Sequence, residues 1–295
     1  MQTTRCFWCL ATVSMALLFA FPLMADENEV GSDAEPVWPE PAADGLPLTL
    51  RESRAQLDES ALTVHEPMYF IVGGREGDDV RARFQLSLKY RLFDEEGRVV
   101  QALPWTRRLH FAYTQTSLWN LSEDSAPFED SSYRPSLFWQ FDRLFGQERA
   151  GLLMMGYEHE SNGQDGEVSR SIDTLFIAPG FSGQALGREI VVIPKLYTYI
   201  NRGSENNDIH QYRGHADFIV RYGNDDSWVA QLTYRRGSAG FNTAQVDLSF
   251  PVRPRIFART GAYIYVQAFE GYGESLLGYD QRTGLSLRAG LAVVR

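Results

Sequence analysis

Residues 83–92 read RFQLSLKYRL and alternate polar with apolar side chains at every step. In an extended strand the apolar members would share one face: Phe84, Leu86, Leu88, Tyr90 and Leu92. The DEEG segment at 94–97 follows and is typical of a turn. The stretch therefore predicts an amphipathic β-strand, which a globular sandwich and a membrane barrel would both use.

Segments with the same alternation recur along the chain, and with 83–92 they number about twelve. The others lie near 66–73, 109–117, 133–141, 151–161, 170–177, 188–200, 212–222, 228–236, 243–250, 259–269 and 282–294. Turn residues separate them, and no helical pattern of useful length intervenes. Because closing a sheet removes its exposed edges, the sequence predicts an all-β, twelve-stranded antiparallel transmembrane β-barrel over residues 59–295.

The composition supports a membrane barrel. Aromatic residues make up 13% of the chain, and such barrels carry aromatic girdles at both membrane interfaces. In the last segment the apolar side chains should face outward: Leu285, Leu287, Ala289, Leu291 and Val293. Ser286, Arg288 and Gly290 should face the interior. The net charge of -10 provides no basic surface, which argues against a nucleic-acid partner.

The first 58 residues should lie outside the barrel. Residues 1–25 have a basic start, an apolar run and a small residue at Ala25, as in a secretory signal peptide cleaved there. The alternative is a membrane anchor, since 6–24 nearly spans a bilayer. Residues 26–58 form an acidic, proline-rich tail. Both cysteines, Cys6 and Cys9, lie in the signal, which excludes disulfides, zinc thiolates and a cysteine nucleophile from the mature chain.

The segment 152–161, LLMMGYEHES, places unexpected polar residues on an apolar face. In a strand, His159 and Ser161 would project together beside Tyr157, while Glu158 and Glu160 would take the other face. Two residues apart, the histidine and the serine are within hydrogen-bonding reach. A polar pair facing lipid costs free energy unless it has a purpose, so the pattern favours a catalytic pair.

A carboxylate completes the set in the following segment. Asp173 alternates with apolar residues on its face, and in a hairpin it would lie beside His159. Serine, histidine and carboxylate would then meet as in a serine hydrolase. The alternative is structural, because a lone His-x-Ser is common on strands and the SNG turn at 161–163 could serve only the hairpin.

Three segments resemble outer-membrane phospholipase A. They are YTQTSLWNLSEDSAPFEDSSYRPSLF at 113–138, GYEHESNGQDGEVSRS at 156–171, which carries the specific H-x-S-N-G motif, and GYGESLLGYDQRTGL at 271–285. The resemblance implies a twelve-stranded barrel that hydrolyses acyl esters of phospholipids and lysophospholipids, with A1, A2 and lysophospholipase activity. Ser161 would be the nucleophile and His159 its base. The family usually has asparagine where this chain has Asp173, a change that should strengthen the base but places a carboxylate at the lipid surface.

The resemblance also implies a calcium site shared between two subunits. Its ligands would be the Ser169 hydroxyl and the Gln164 carbonyl of one chain with the Ser125 carbonyl of the partner subunit. Oxygen ligands suit a hard cation. The family usually has arginine at the position of Gln164, but a backbone ligand tolerates that change. The ion, through a bound water, and the Gly163 N–H would stabilise the oxyanion.

A homodimer interface is implied on the first strands. Gln115 shares a face with Leu109, Phe111 and Tyr113, and an amide facing lipid is costly unless something pairs with it. The resemblance puts Gln115 at the dimer interface, packed by Leu62, Leu86 and Leu88. Leucines that face lipid need no partner, so Gln115 is the more informative of the four.

The sequence thus leads to one main hypothesis and two alternatives. The main one is a calcium-dependent outer-membrane phospholipase that acts on membrane lipid and is activated by dimerisation. The first alternative is a catalytically silent structural or pore-type barrel, and the second is acyl transfer to another lipid. A pore fits poorly because charged residues would fill a narrow lumen with ion pairs. Those residues are Lys89, Arg91, Glu158, Glu160 and Arg288.

Overall fold

The computed structural model describes residues 61–75, 77, 79–141, 151–252 and 261–295. The predicted signal peptide, 1–25, and the predicted tail, 26–58, lie outside the described residues. Within the described ranges no helix is long and apolar enough to cross a membrane.

Thirteen strands account for most of the described residues. They are β1 (Leu62–Val64), β2 (Met68–Gly74), β3 (Arg81–Arg91), β4 (Leu109–Asn120), β5 (Phe128–Phe141), β6 (Gly151–Ser161), β7 (Ser171–Ala185), β8 (Arg188–Asn201), β9 (Ala216–Gly223), β10 (Val229–Arg236), β11 (Asn242–Pro251), β12 (Tyr263–Tyr272) and β13 (Arg282–Val294). Short helices occur in the connections. They are α1 (Arg98–Ala102), α2 (His210–Arg213) and the single 3-10 turns Pro104–Thr106 and Gly166–Val168.

The strands close into a barrel. From β2 onward each strand pairs antiparallel with the next, and β13 returns to pair with β2. Both β1 and β2 pair with β3, so together they form a single interrupted barrel strand. The barrel therefore has twelve strands, and the predicted fold class is confirmed.

The first barrel strand differs from the prediction, which placed one uninterrupted segment near 66–73. Its pairing with β3 shifts by two residues between Val64 and Tyr69. Pro67 has no N–H to give to the ladder, so the strand breaks there. At the break the Glu66 carboxylate forms an ion pair with Arg134 across the interior. The His65 ring stacks on Phe138, with centroids 5.2 Å apart.

Most exposed side chains on the described outward face are apolar. On the last strand Leu285, Leu287, Leu291 and Val293 are exposed, whereas Ser286 and Arg288 are buried, as the alternation predicts. Leu86 and Tyr90 on β3 are exposed in the same way. Such an extended apolar surface is unusual for a soluble monomer and is the surface that a membrane barrel turns to lipid.

The interior is filled by paired charges. Glu158 accepts from Lys195 at 2.9 Å, Glu160 from Arg213 at 2.9 Å, Asp217 from Arg235 at 2.6 Å and Glu274 from Arg288 at 2.5 Å. Lys89 donates to Gln140 at 3.1 Å. A cavity of about 360 Å³ remains among these side chains. The predicted interior ion pairs are present at Glu158, Glu160 and Arg288.

One of these interior pairs gives a stability prediction. Replacing Arg235 with methionine leaves the half-buried, interior-facing Asp217 carboxylate without its bidentate partner. We expect the free energy of unfolding in detergent micelles to fall by about 3 kcal/mol. The matched control is Asp217→Leu combined with Arg235→Met, which removes both charges and should be more stable than the single variant. Equal urea midpoints for the two variants would contradict the role given to the pair.

Candidate active site

His159 and Ser161 lie at the end of β6, on its outward face. The neighbouring inward positions, one before and one after His159, belong to Glu158 and Glu160, whose carboxylates form interior ion pairs. The outward neighbours Met155 and Tyr157 are exposed, and the His159 side chain is 33% exposed. The histidine therefore opens to the apolar exterior of the barrel and not to its lumen.

Strand register brings Asp173 to His159. The two residues are direct partners across β6 and β7. Nδ1 of His159 lies 2.7 Å from Oδ1 of Asp173. A ring nitrogen so close to a carboxylate oxygen donates its proton, which leaves Nε2 with a free lone pair. The pair therefore has the arrangement that a general base and its orienting residue require.

Ser161 adjoins this pair without being hydrogen-bonded to it. The serine is two residues beyond His159 on the same face, half-buried, between Tyr133 of β5 and Ser171 of β7. In the part of the chain that the structure describes, its hydroxyl makes no hydrogen bond. Hydrogen bonds between a nucleophile and its base are often loose before substrate binds, so the spacing remains compatible with catalysis.

Two residues that the sequence reasoning missed also contact Asp173. The Tyr157 hydroxyl donates to Oδ1 at 2.5 Å, and Nδ2 of Asn201 donates to Oδ2 at 3.0 Å. Tyr157 shares the outward face of β6, so the alternation could have identified it. Asn201 was not identifiable, because an irregularity next to Asp173 shifts the pairing of β7 with β8.

The loop 162–170 is held by the buried side chain of Asn162. Its amide donates to the Val168 carbonyl at 2.8 Å and accepts from the Arg170 N–H at 2.9 Å. Gly163 follows with φ of +67°, in the left-handed region, and an added Cβ would lie 3.1 Å from the Tyr133 ring. Conformation and space therefore both favour glycine at 163. The SNG segment is more than a hairpin turn, because Asn162 fixes the loop beside Ser161.

The same loop contacts the loop between β12 and β13. The Arg170 guanidinium lies over the Tyr279 ring, 5.8 Å from its centroid. The Tyr279 hydroxyl donates to Asp208 at 2.5 Å. Burial, together with the hydrogen bond to Asp208, raises the pKa of Tyr279, so the phenol remains a donor at neutral pH. Three loops thus meet at the barrel end that carries the site.

The predicted calcium ligands lie in two separate loops. Gln164 and Ser169 belong to 162–170, while Ser125 is in the connection between β4 and β5 with φ of 69°. Among the residues that the structure describes, no hydrogen bond engages the Ser169 hydroxyl or the carbonyls of Gln164 and Ser125. No group of three or more His, Cys, Asp or Glu side chains suited to a metal was found in the described ranges.

Gln115 and Ser161 belong to one row of residues across the outward face. Strand pairing joins Leu86 to Gln115, Gln115 to Tyr133 and Tyr133 to Ser161. The Gln115 amide accepts from Tyr113 and donates to Ser117, each at a long 3.3 Å.

The predicted leucines lie on the same outward face as this row. Leu62 and Leu86 are exposed, and Leu88 is half-buried. A cavity of about 460 Å³ lies beside the row. Gln115, Tyr133, Gln164 and Phe128 are among its lining residues.

Comparison with known proteins gives consistent matches. The family model described as Phospholipase A1 matches residues 49–292. Phospholipase A1 of Escherichia coli K12 is 30% identical over 202 residues, which are 67% of this chain and 64% of that protein, just under two thirds of its length. Phospholipase A1 of Klebsiella pneumoniae is 30% identical over 212 residues, which are 70% of this chain and 68% of that protein.

Solved structures show the same barrel. Outer membrane phospholipase A from Escherichia coli superposes with a TM-score of 0.64 at 23% identity, covering 81% of this chain and 93% of that one. The Salmonella typhi outer membrane phospholipase, a dimer with bound calcium, gives a TM-score of 0.66 at 23% identity, covering 86% and 99%. At this identity the superpositions establish the fold alone. The family match covers most of the sequence, and on that basis the chain belongs to the phospholipase A1 family.

Proposed function

We propose that this chain is an outer-membrane phospholipase that hydrolyses acyl esters of phospholipids and lysophospholipids, with A1, A2 and lysophospholipase activity. The observation that carries the proposal is the 2.7 Å hydrogen bond between His159 and Asp173 on the lipid-facing surface, next to Ser161. An ion-paired carboxylate facing hydrocarbon has no structural benefit that would offset its desolvation. Catalysis on lipid supplies a reason for it.

The chemistry follows from the arrangement of the three side chains. Nε2 of His159 takes the proton of the Ser161 hydroxyl as Oγ bonds to the ester carbonyl carbon. The ester C–O bond then breaks, and His159 returns the proton to the leaving glycerol oxygen. Water, deprotonated by the same histidine, then attacks the acyl carbon; the bond to Ser161 Oγ breaks, His159 returns the proton to Oγ and the fatty acid leaves. Throughout, Asp173 keeps the ring oriented and stabilises its charged form.

Stabilisation of the oxyanion is assigned to the loop that follows Ser161. The Gly163 N–H lies two residues after the nucleophile, in a loop that Asn162 holds in place. A fixed backbone donor stabilises the developing negative charge without having to reorganise during the reaction. The left-handed conformation at Gly163 supports this role, because it fixes the direction of that N–H.

The residues present fit a calcium ion. The Ser169 hydroxyl and the Gln164 carbonyl are oxygen donors that no hydrogen bond within the described residues occupies, and hard cations prefer such donors. Asp165 and Glu167 in the same loop add negative charge nearby. When bound, the ion would add positive charge, through a bound water, to the oxyanion site. The Ser125 carbonyl of a second subunit would complete the ligand set.

Dimerisation is proposed on the surface around Gln115. Within the described residues its amide makes only long hydrogen bonds. Leu86 is its direct partner on β3, and Leu88 and Leu62 lie further along the same outward face. A second copy would cover the amide and bring its own Ser125 loop to the calcium ligands. The calcium-bound dimer of the Salmonella typhi relative supports this arrangement.

The proposal is tested by fatty-acid release from mixed phospholipid–detergent micelles in the presence of calcium. We expect the refolded chain to release fatty acid from diacyl lipid and from lysolipid. Mass spectrometry with an added lipid acceptor separates hydrolysis from acyl transfer. The ion-paired lumen should give no steady conductance in planar bilayers. A folded chain that conducts and releases nothing would show the pore-type alternative to be correct.

A further inference from the structure

We infer that Tyr157 and Asn201 are positioning residues that form a two-donor clamp, selecting a carboxylate over an amide at position 173. The inference rests on the proposed function, because the clamp acts through His159. It concerns position 173, where this chain has aspartate and the family that it resembles usually has asparagine. Tyr157 and Asn201 are together called the carboxylate clamp.

Three donors converge on the two oxygens of Asp173. Oδ1 accepts from Nδ1 of His159 at 2.7 Å and from the Tyr157 hydroxyl at 2.5 Å, and Oδ2 accepts from Nδ2 of Asn201 at 3.0 Å. A carboxylate offers about four lone-pair sites and no donor, so it satisfies all three. These hydrogen bonds occupy both of its oxygens.

An amide at 173 would not satisfy the same donors. Its oxygen could accept from His159 and Tyr157, but its NH₂ group would then face the NH₂ group of Asn201. Rotating the Asn201 amide would relieve that conflict. The rotation would give up the hydrogen bond that its Oδ1 accepts from the Gly203 N–H at 3.3 Å. The surroundings are therefore complementary to a carboxylate and not to its isosteric amide.

The clamp also offsets the desolvation free energy of the Asp173 carboxylate on this apolar face. Within the described ranges His159 is the only ion-pair partner of Asp173. Apolar side chains surround the site, since Leu175 and Ile177 on the same strand face are exposed. A charge that leaves water is tolerated only when hydrogen bonds replace its hydration. Tyr157 and Asn201 supply two such bonds, and in doing so they fix the carboxylate against His159.

The clamp predicts a reciprocal rescue. Asp173→Asn alone sets two NH₂ groups against each other, and Asn201→Asp alone sets two carboxylates against each other. Combining the substitutions restores complementarity, because the new amide at 173 donates to the new carboxylate at 201. Its oxygen remains available to His159 and Tyr157. A residue with a merely structural role at 201 would give no such rescue.

The experiment measures kcat and KM for fatty-acid release, and separately the rate at which a fluorophosphonate labels Ser161. We expect Tyr157→Phe to lower kcat and the labelling rate about 10-fold with KM unchanged, as for loss of a hydrogen bond to a charged group. Asp173→Asn alone and Asn201→Asp alone should each lower kcat and the labelling rate about 100-fold. The double variant should recover both to within about 10-fold of wild type. Tyr234→Phe is the matched control, since Tyr234 is also outward-facing and donates to Asn242 at 2.7 Å far from the site.

The outcomes separate two failures. A wild-type chain that neither hydrolyses lipid nor reacts with the fluorophosphonate would overturn the proposed function, and the clamp with it. An active wild type with Tyr157→Phe at full rate, or with a double exchange no better than its parents, would overturn the clamp alone. Circular dichroism in micelles confirms folding of every variant, and the isosteric Tyr157→Phe keeps the test informative if an exchange variant misfolds.

Discussion

Ser161→Ala is expected to reduce fatty-acid release by about 10⁴-fold or more, to the background of the assay. The substitution removes one oxygen from a half-buried outward position whose hydroxyl bonds to nothing else in the described structure, so the barrel should be unaffected. Loss of a nucleophile removes the covalent route entirely, and the remaining oxyanion donors act on solvent water alone. Release from mixed micelles in calcium measures the effect.

The matched control for Ser161→Ala is Thr198→Ala. Thr198 is another outward-facing hydroxyl, exposed on β8 and paired with Leu175. The Thr198→Ala variant should keep wild-type activity, because Thr198 lies on the lipid face without His159 beside it. Should Ser161→Ala retain more than about a hundredth of the wild-type rate, Ser161 is not the nucleophile. The polar pair on β6 would then need another explanation.

Removing calcium with EDTA is expected to abolish release, and adding calcium back should restore it fully. The expectation follows from the proposed ligand set, which takes oxygens from Gln164 and Ser169 of one chain and from Ser125 of a second copy. Loss of the ion would remove both the added positive charge and the link between subunits. Magnesium at equal concentration should restore little, since it demands a tighter octahedral shell and releases water reluctantly.

Ser169→Ala refines the calcium prediction. Without the hydroxyl ligand, the calcium concentration for half-maximal activity should rise by about 10-fold or more. Ser238→Ala is the control, an exposed loop serine at the same end of the barrel whose hydroxyl donates to the His210 carbonyl. Release that EDTA leaves unchanged would rule out the calcium site, while a dimer that persists in EDTA would separate assembly from activation.

Alternation in the sequence predicts most of the barrel because each strand has two unlike surroundings. Leu287 must face lipid and Arg288 must face the ion-paired interior, and a single-residue slip would exchange them. The same rule places His159 outward and Glu158 inward. It could not predict the break at Pro67, beside which the side chains of Glu66 and His65 contact groups across the lumen. Such contacts depend on closure of the barrel and have no local periodicity.

The candidate site was only partly predictable for a related reason. His159, Ser161 and Asp173 follow from faces and from hairpin pairing, both of which depend on nearby sequence. Asn201 reaches Asp173 because the ladder between β7 and β8 is irregular at that point, and no pattern in the sequence announces the shift. Asn162 could be recognised as part of a motif, but its hydrogen bonds to Val168 and Arg170 require the folded loop.

For the proposed phospholipase, the outward position of His159 determines which measure of substrate concentration sets the rate. Substrate would reach the site by lateral diffusion within the bilayer, so the volume of water around the membrane would not dilute it. The rate should therefore follow the mole fraction of phospholipid in the surrounding surface and not the amount per litre. Adding inert detergent at constant total lipid would slow the reaction, because it lowers the mole fraction of phospholipid around the barrel.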